Sequence, residues 1–178
     1  SGRPRVVAIE ILSRSDDPAC APVLLDAASE DDPELSQAAK MGLARLGGQQ
    51  VDAGILASLP GATGKARLVL IELVALRQID EALPTLSKWA GDPDPEVRHA
   101  TVAALGVLGR EEESALLVRL LRKTKDSEER ADLESALLAV TGRCGSVCTP
   151  RLAPLMRSTD AGLRIVGIRA MASVGGSE

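Results

Sequence analysis

The chain has 178 residues, 45% of them hydrophobic and 26% charged, with a formal net charge of −4, the proportions of one soluble globular domain. An acidic pI near 5.2 and a single aromatic residue, Trp89, with no Phe or Tyr, argue against a nucleic-acid groove, which needs clustered cations and stacking rings. No apolar run approaches the roughly 20 residues that span a bilayer and no secretory signal opens the chain, so membrane insertion is not expected.

A helical unit recurs along the chain. Its copies begin with PRVVAIEILSRSD at Pro4, LSQAAKMGLARLG at Leu35, KARLVLIELVALR at Lys65, VRHATVAALGVLG at Val97, RADLESALLAVTG at Arg130 and LRIVGIRAMASVG at Leu163, at spacings of 31, 30, 32, 33 and 33. Leu12, Leu43, Leu73, Leu105, Leu138 and Met171 share one register, and Ile9, Leu70, Val102 and Ile168 stand three residues earlier. That relation places both sets on one face of a helix. A second amphipathic run follows each copy. Pro22, Pro84 and Pro150 lie 13 residues before the next anchor, each followed two residues later by leucine, at Leu24, Leu86 and Leu152. Proline fits the first turn of a helix, so it marks where the second helix starts. Gly47 with Gly48, Gly109 and Gly142 are placed to end first helices in a left-handed conformation. Asp31-Asp32-Pro33, Asp92-Pro93-Asp94-Pro95 and Lys125-Asp126-Ser127 supply caps for the helices after them. Even spacing of a helix pair is the signature of a solenoid. The predicted repeats are 1–30, 31–61, 62–91, 92–125, 126–158 and an incomplete 159–178, forming one domain over 1–178. The chain starts almost inside the first copy and stops at Gly175-Gly176-Ser177-Glu178, where a second helix is due, so a segment of a longer protein is expected.

The run Asp92-Pro93-Asp94-Pro95-Glu96-Val97-Arg98, with Ala100, Ala103-Ala104-Leu105-Gly106 and Leu108-Gly109, resembles a HEAT repeat of the short bacterial type, also called phycobilisome-lyase-like. The resemblance covers essentially the whole chain. It implies an all-α fold, a right-handed α-solenoid of antiparallel helix pairs with about 5.5 repeats. Arg5, Arg98 and Arg164 stand where this family uses an arginine to tie neighbouring repeats through an aspartate. Ser36 and Ala66 take that place in the second and third copies, so no continuous ladder is expected there.

Several residues have the type but not the company for chemistry. Cys144 and Cys148 form a C-x3-C pair with no second pair or nearby histidine, which leaves a short disulfide or two free thiols. Cys148 and Cys20 each precede a helix-opening proline by two residues, as Ala82 does, and there cysteine acts as a small core residue. Free thiols would favour a reducing, cytoplasmic compartment. His99, the only histidine, aligns with Val6, Gln37, Arg67, Asp132 and Ile165, and has neither an orienting carboxylate nor a nucleophile in sequence reach. Glu111-Glu112-Glu113 opens a helix, where negative charge favours the dipole. Gly61-Ala62-Thr63-Gly64-Lys65 lacks the spacing and preceding strand of a phosphate loop. Trp89 shares its register with Ala27 and Leu155, as a core-lining residue or as an exposed anchor.

Charge is unevenly spread. Residues 1–89 hold 9 basic and 12 acidic side chains, whereas 135–177 hold Arg143, Arg151, Arg157, Arg164 and Arg169 against Asp160 alone. The second helices are expected to line the concave side, so Lys88, Trp89, Arg119, Arg122, Lys123, Arg151 and Arg157 form the candidate partner surface. The expected function is a non-catalytic protein-interaction scaffold or regulatory module. Its partner would be another protein or a domain of the same polypeptide that presents an acidic segment. A nucleic-acid-binding HEAT-like protein is the alternative. A tetrapyrrole lyase or chaperone role, implied only by the resemblance, ranks last, and no cofactor or metal is expected.

Overall fold

The computed structural model describes residues 3–15 and 17–174. Gly175 to Glu178, where the sixth second helix is expected to begin, lie outside the described residues. The chain divides into two compact units, Ser1–Ala82 and Leu83–Glu178. Unit 1 contains α1 (Arg3–Leu12), α2 (Ala21–Ala28), α3 (Pro33–Arg45), α4 (Gln49–Ser58) and α5 (Gly64–Arg77). Unit 2 contains α6 (Leu83–Trp89), α7 (Pro95–Leu108), α8 (Glu111–Leu121), α9 (Ser127–Cys144), α10 (Thr149–Met156) and α11 (Ala161–Val174). No strand occurs among the described residues.

The helix starts are set by aspartate. Asp32 Oδ1 accepts from the N–H groups of Glu34 and Leu35 at 3.1 and 3.2 Å, Asp94 from Glu96 at 2.9 Å, and Asp126 from Glu128 and Glu129 at 2.9 Å. Asp160 does the same at α11, accepting from Gly162 and Leu163, and these bonds, the one from Leu163 foremost, hold its carboxyl below the ordinary carboxylate value. These caps satisfy N–H groups that a helix start leaves unpaired.

The caps also correct the predicted register. The residue eleven places after Asp32, Asp94 and Asp126 is Leu43, Leu105 and Leu137, each buried. The expected Leu138 is one residue off and only half-buried, because α9 is wound from its Asp126 cap and the fifth anchor is Glu129 rather than Arg130. The same count removes the departure expected in the third copy, where Arg67 and not Ala66 takes the arginine position. The proline signal holds without adjustment, since Leu24, Leu86 and Leu152 are all fully buried.

Packing departs from the sequence repeat. Each second helix packs chiefly on the first helix that follows it: α2 on α3, α4 on α5, α6 on α7, α8 on α9 and α10 on α11. First helices also stack on one another, α1 on α3 and α3 on α5 in unit 1, and α7 on α9 and α9 on α11 in unit 2. The core of unit 2 joins these layers through Val102, Leu117, Leu121, Leu137, Leu152 and Val166. The unit boundary, between Ala82 and Leu83, therefore falls inside the predicted third repeat.

Two of the predicted glycine ends change. Gly109 has φ −58°, and its role is close approach, since a Cβ there would lie 2.5 Å from the Leu105 carbonyl oxygen. Gly142 lies within α9, which runs on to Cys144, and Gly145, with φ +59°, makes the turn.

The Thr101 hydroxyl, in α7, is fully buried and makes no hydrogen bond, whereas buried Thr141 donates to the Leu137 carbonyl at 2.8 Å and pairs with Ser173 at 2.8 Å. Thr101→Val keeps the shape and removes an unpaired polar group, so it is expected to stabilise the fold by about 1 kcal/mol. A thermal melt should rise by roughly 2–4 °C; a fall would show that the hydroxyl is satisfied in solution.

Candidate protein interface

The second helices of unit 2 carry the candidate residues, and their geometry sorts them. Arg151, in the first turn of α10, donates through Nη2 to Glu111 Oε1 at 2.9 Å, and Glu111 is the first residue of α8. The two helices thus start at the same end. Glu113 folds back to accept from the Arg110 N–H at 2.9 Å, so the acidic triplet is a helix start, as expected. Arg119, Arg122 and Lys123 lie at the far end of α8, and Arg157 follows α10. At 1.5 Å per residue, the α8 cations lie roughly 12–18 Å along the axis from Glu111, and Arg157 about 9 Å from Arg151. Arg151 is thus tied to Glu111 by an exposed inter-helix ion pair, unlike the other cations of the candidate surface.

Arg119, Arg122, Lys123 and Arg157 are exposed and make no ion pair or side-chain hydrogen bond among the described residues. They share the carbonyl ends of α8 and α10, where the helix dipole favours positive charge. Lys88, also exposed, and half-buried Trp89 stand at the corresponding end of α6. Trp89 occupies a position that is buried as Ala27 and Leu155, and its larger ring is only partly covered.

The rest of the C-terminal basic excess is engaged internally. Arg143 donates to the Gly109 carbonyl at 3.1 Å, and burial pushes its guanidinium below the ordinary value. Arg164 donates to the Ser158 and Thr159 carbonyls, and Arg169 to Glu134 at 2.7 Å. A sequence count of cations could not separate these from Arg157, because each partner except the Arg164 loop lies on a different helix.

The first helices are stitched to one another. Lys40 pairs with Glu72 at 2.7 Å, Arg98 with Glu129 at 2.9 Å and Arg130 with Asp160 at 3.5 Å. Arg98 also donates to the carbonyls of Asp92 and Pro93, and Arg67 donates to that of Ala62 at 2.8 Å. His99 does have a carboxylate: its Nδ1 lies 2.7 Å from Asp132 Oδ2. Asp132 is not its equivalent in the next copy but its partner there. Lys65 of the discounted phosphate loop binds the Glu30 carbonyl and lies 3.5 Å from Asp31.

Cys144 and Cys148 are joined as a disulfide between the end of α9 and the residue before α10, with Cα atoms 5.9 Å apart. Cys148 is buried as expected, but Cys20 is only half-buried, with Ser15 Oγ 3.3 Å from its sulfur. Among the described residues no three His, Cys, Asp or Glu side chains gather to hold a metal, and no helix is long and apolar enough to cross a membrane.

No repeat position or motif singles out Arg77 in the sequence. This last-turn residue of α5 donates through Nε to Asp52 at 2.6 Å and through Nη1 to the carbonyls of Leu43 and Leu46. Only the general preference for a basic residue near a helix end points to it.

Residues 53–138 match the HEAT repeats family. A chain in the structure of the complex of CpcE and CpcF of phycocyanin lyase from Nostoc sp. PCC7120 has a similar fold, with a TM-score of 0.64 over 86% of this chain and 99% of that one, at 20% sequence identity. Both similarities agree with an all-α solenoid. No curated protein matches the sequence.

Proposed function

We propose that this chain, whose residues 53–138 match HEAT repeats, is a protein-interaction scaffold that receives an acidic segment of another protein or of a further domain. The observation that carries the reading is the unpaired cationic row of Arg119, Arg122, Lys123 and Arg157 at one end of α8 and α10. Elsewhere in unit 2, Arg98, Arg130, Arg143, Arg151, Arg164 and Arg169 are consumed by internal partners. Lys88 and Trp89 extend the proposed surface along α6, where a half-covered indole offers a flat apolar anchor beside charge.

A labelled Glu/Asp-rich peptide should bind the chain at low salt and dissociate as salt rises. The triple change Arg119→Glu, Arg122→Glu and Lys123→Glu is expected to weaken that binding by at least about tenfold in fluorescence anisotropy, about 1.4 kcal/mol. Arg151→Glu should weaken it far less, since Arg151 faces Glu111. Equal losses from both changes, or no binding by the unsubstituted chain, would contradict the assignment.

The fold of the phycocyanin lyase chain favours a second reading, a subunit of a two-chain lyase. That role would require a pigment or an acceptor protein to be held without Tyr or Phe and with His99 as the lone imidazole. Visible absorbance retained on the chain after mixing with a linear tetrapyrrole and gel filtration would support it over the scaffold reading.

A further inference from the structure

We infer that Cys144 and Cys148 form a reversible dithiol–disulfide site, opened and closed by exchange with a low-molecular-weight thiol, rather than a permanent staple of the fold. The first observation is that the fold makes the same corner without them. A short helical turn follows a first helix elsewhere in the chain, at Pro18–Cys20 and at Asp80–Ala82, as Gly145–Cys148 follows α9. Cys20 and Ala82 end those turns where Cys148 ends this one, yet Cys20 is a free thiol and Gln78 stands at the place of Cys144. The corner is held by packing, since Leu137 and Val140 of α9 and Leu152 and Leu155 of α10 are all fully buried. A link between residues four apart also restricts the unfolded chain less than one that closes a long loop.

The two sulfurs differ in access, which gives the exchange a direction. The Cα atoms are 5.9 Å apart, within the range that a bridge occupies. Cys148 is fully buried, whereas Cys144 is half-buried in a corner whose Ser146 and Val147 are exposed. An incoming thiolate therefore reaches Cys144 and makes Cys148 the leaving group. Cys148 immediately precedes α10, where unpaired N–H groups and the helix dipole favour a negatively charged sulfur. A stabilised leaving thiolate speeds exchange.

The chemistry balances in two steps. A small thiolate attacks Cys144 Sγ, the bond to Cys148 breaks with its electron pair left on Cys148, and a mixed disulfide remains on Cys144. A second small thiolate attacks the small-molecule sulfur of that adduct, releasing Cys144 as a thiolate and a small-molecule disulfide. The protein sulfurs gain two electrons, the small thiols lose them, and the protons of the small thiols pass to Cys144 and Cys148. The reverse sequence closes the bridge at the expense of a small disulfide.

Two arms beside the bridge show what it controls. Arg143, directly before Cys144, donates to the Gly109 carbonyl at 3.1 Å, and Arg151, three residues after Cys148, donates to Glu111 at 2.9 Å. Both arms grip the corner between α7 and α8. The closed bridge fixes one arm relative to the other, and opening it frees the turn between them.

The test uses the full chain carrying Cys20→Ser, so that only this pair reports. In buffers of reduced and oxidised glutathione, followed by alkylation and mass spectrometry, the pair is expected to pass from disulfide to dithiol as the reduced share rises, and back as it falls. With one further cysteine replaced, the Cys148→Ser chain should take up glutathione at Cys144 at least about tenfold faster than the Cys144→Ser chain does at Cys148. Reduction should leave the circular dichroism unchanged and speed hydrogen exchange severalfold at residues 145–148, with the middle of α9 unaffected. The inference is overturned by a pair that stays bridged in reduced glutathione or stays open in oxidised glutathione, and by unfolding on reduction, which would make the bridge a staple. Equal adduct rates in the two single variants would overturn the direction of attack, and exchange at 145–148 that ignores reduction would overturn control of the corner.

Discussion

Replacing Arg77 with alanine is expected to lower the stability of the chain by about 2–4 kcal/mol, read as a shift of the urea midpoint in circular dichroism. The residue comes from α5, yet it closes the end of α3 and grips the start of α4. Leu43 and Leu46 lie at the end of α3, whose last carbonyls have no partner further along the helix, and Arg77 Nη1 supplies one. Its side chain is only 7% exposed, so water cannot replace the lost donor without opening the layer. Asp52 is more accessible, and the ion pair by itself contributes less than the carbonyl contacts. Arg77→Lys should recover little, because one ammonium cannot span Asp52 and two carbonyls in the geometry of a planar fork. A loss under about 0.5 kcal/mol, the size of an ordinary surface change, would mean that the clamp is not maintained in solution.

Leu137→Ala is expected to cost about 2–5 kcal/mol, and Leu138→Ala roughly half as much or less. Leu137 is fully buried among Leu117, Leu121, Leu152 and Val166, where truncation leaves a void that α8 and α10 cannot both collapse into. Leu138 only lines the edge of that core. Equilibrium unfolding of the two single variants decides the register of the fifth copy, and a larger loss at Leu138 would restore the alignment anchored on Arg130.

That correction shows what a single sequence discloses here. Asp caps act within three residues and Pro22, Pro84 and Pro150 within a single turn, so helix starts and the buried Leu24, Leu86 and Leu152 were legible directly. In the fifth copy apolar periodicity alone is ambiguous, because α9 offers leucine at both 137 and 138. The cap at Asp126 decides between them. The candidate surface was less legible. Whether a cation is free depends on side chains 30 to 40 residues away, such as Glu111 for Arg151 and Glu134 for Arg169. The carboxylate of His99 was hidden for the same reason, since Asp132 lies on another helix and looked like its equivalent rather than its partner.

The packing of each second helix on its successor has a consequence for how such a chain could be shortened, lengthened or recombined. Nearest-neighbour stacks exchange parts at the seam where fewest contacts are cut. In this chain the seam lies between Ala82 and Leu83, just before a second helix, and not at the ends of the sequence repeats. A graft ending after residue 91 would carry α6 away from α7, exposing Leu86 and the face of α7 that packs on α6. One made at the seam keeps α6 with α7, the helix it packs on. The inheritable module is therefore out of phase with the motif by which it is recognised.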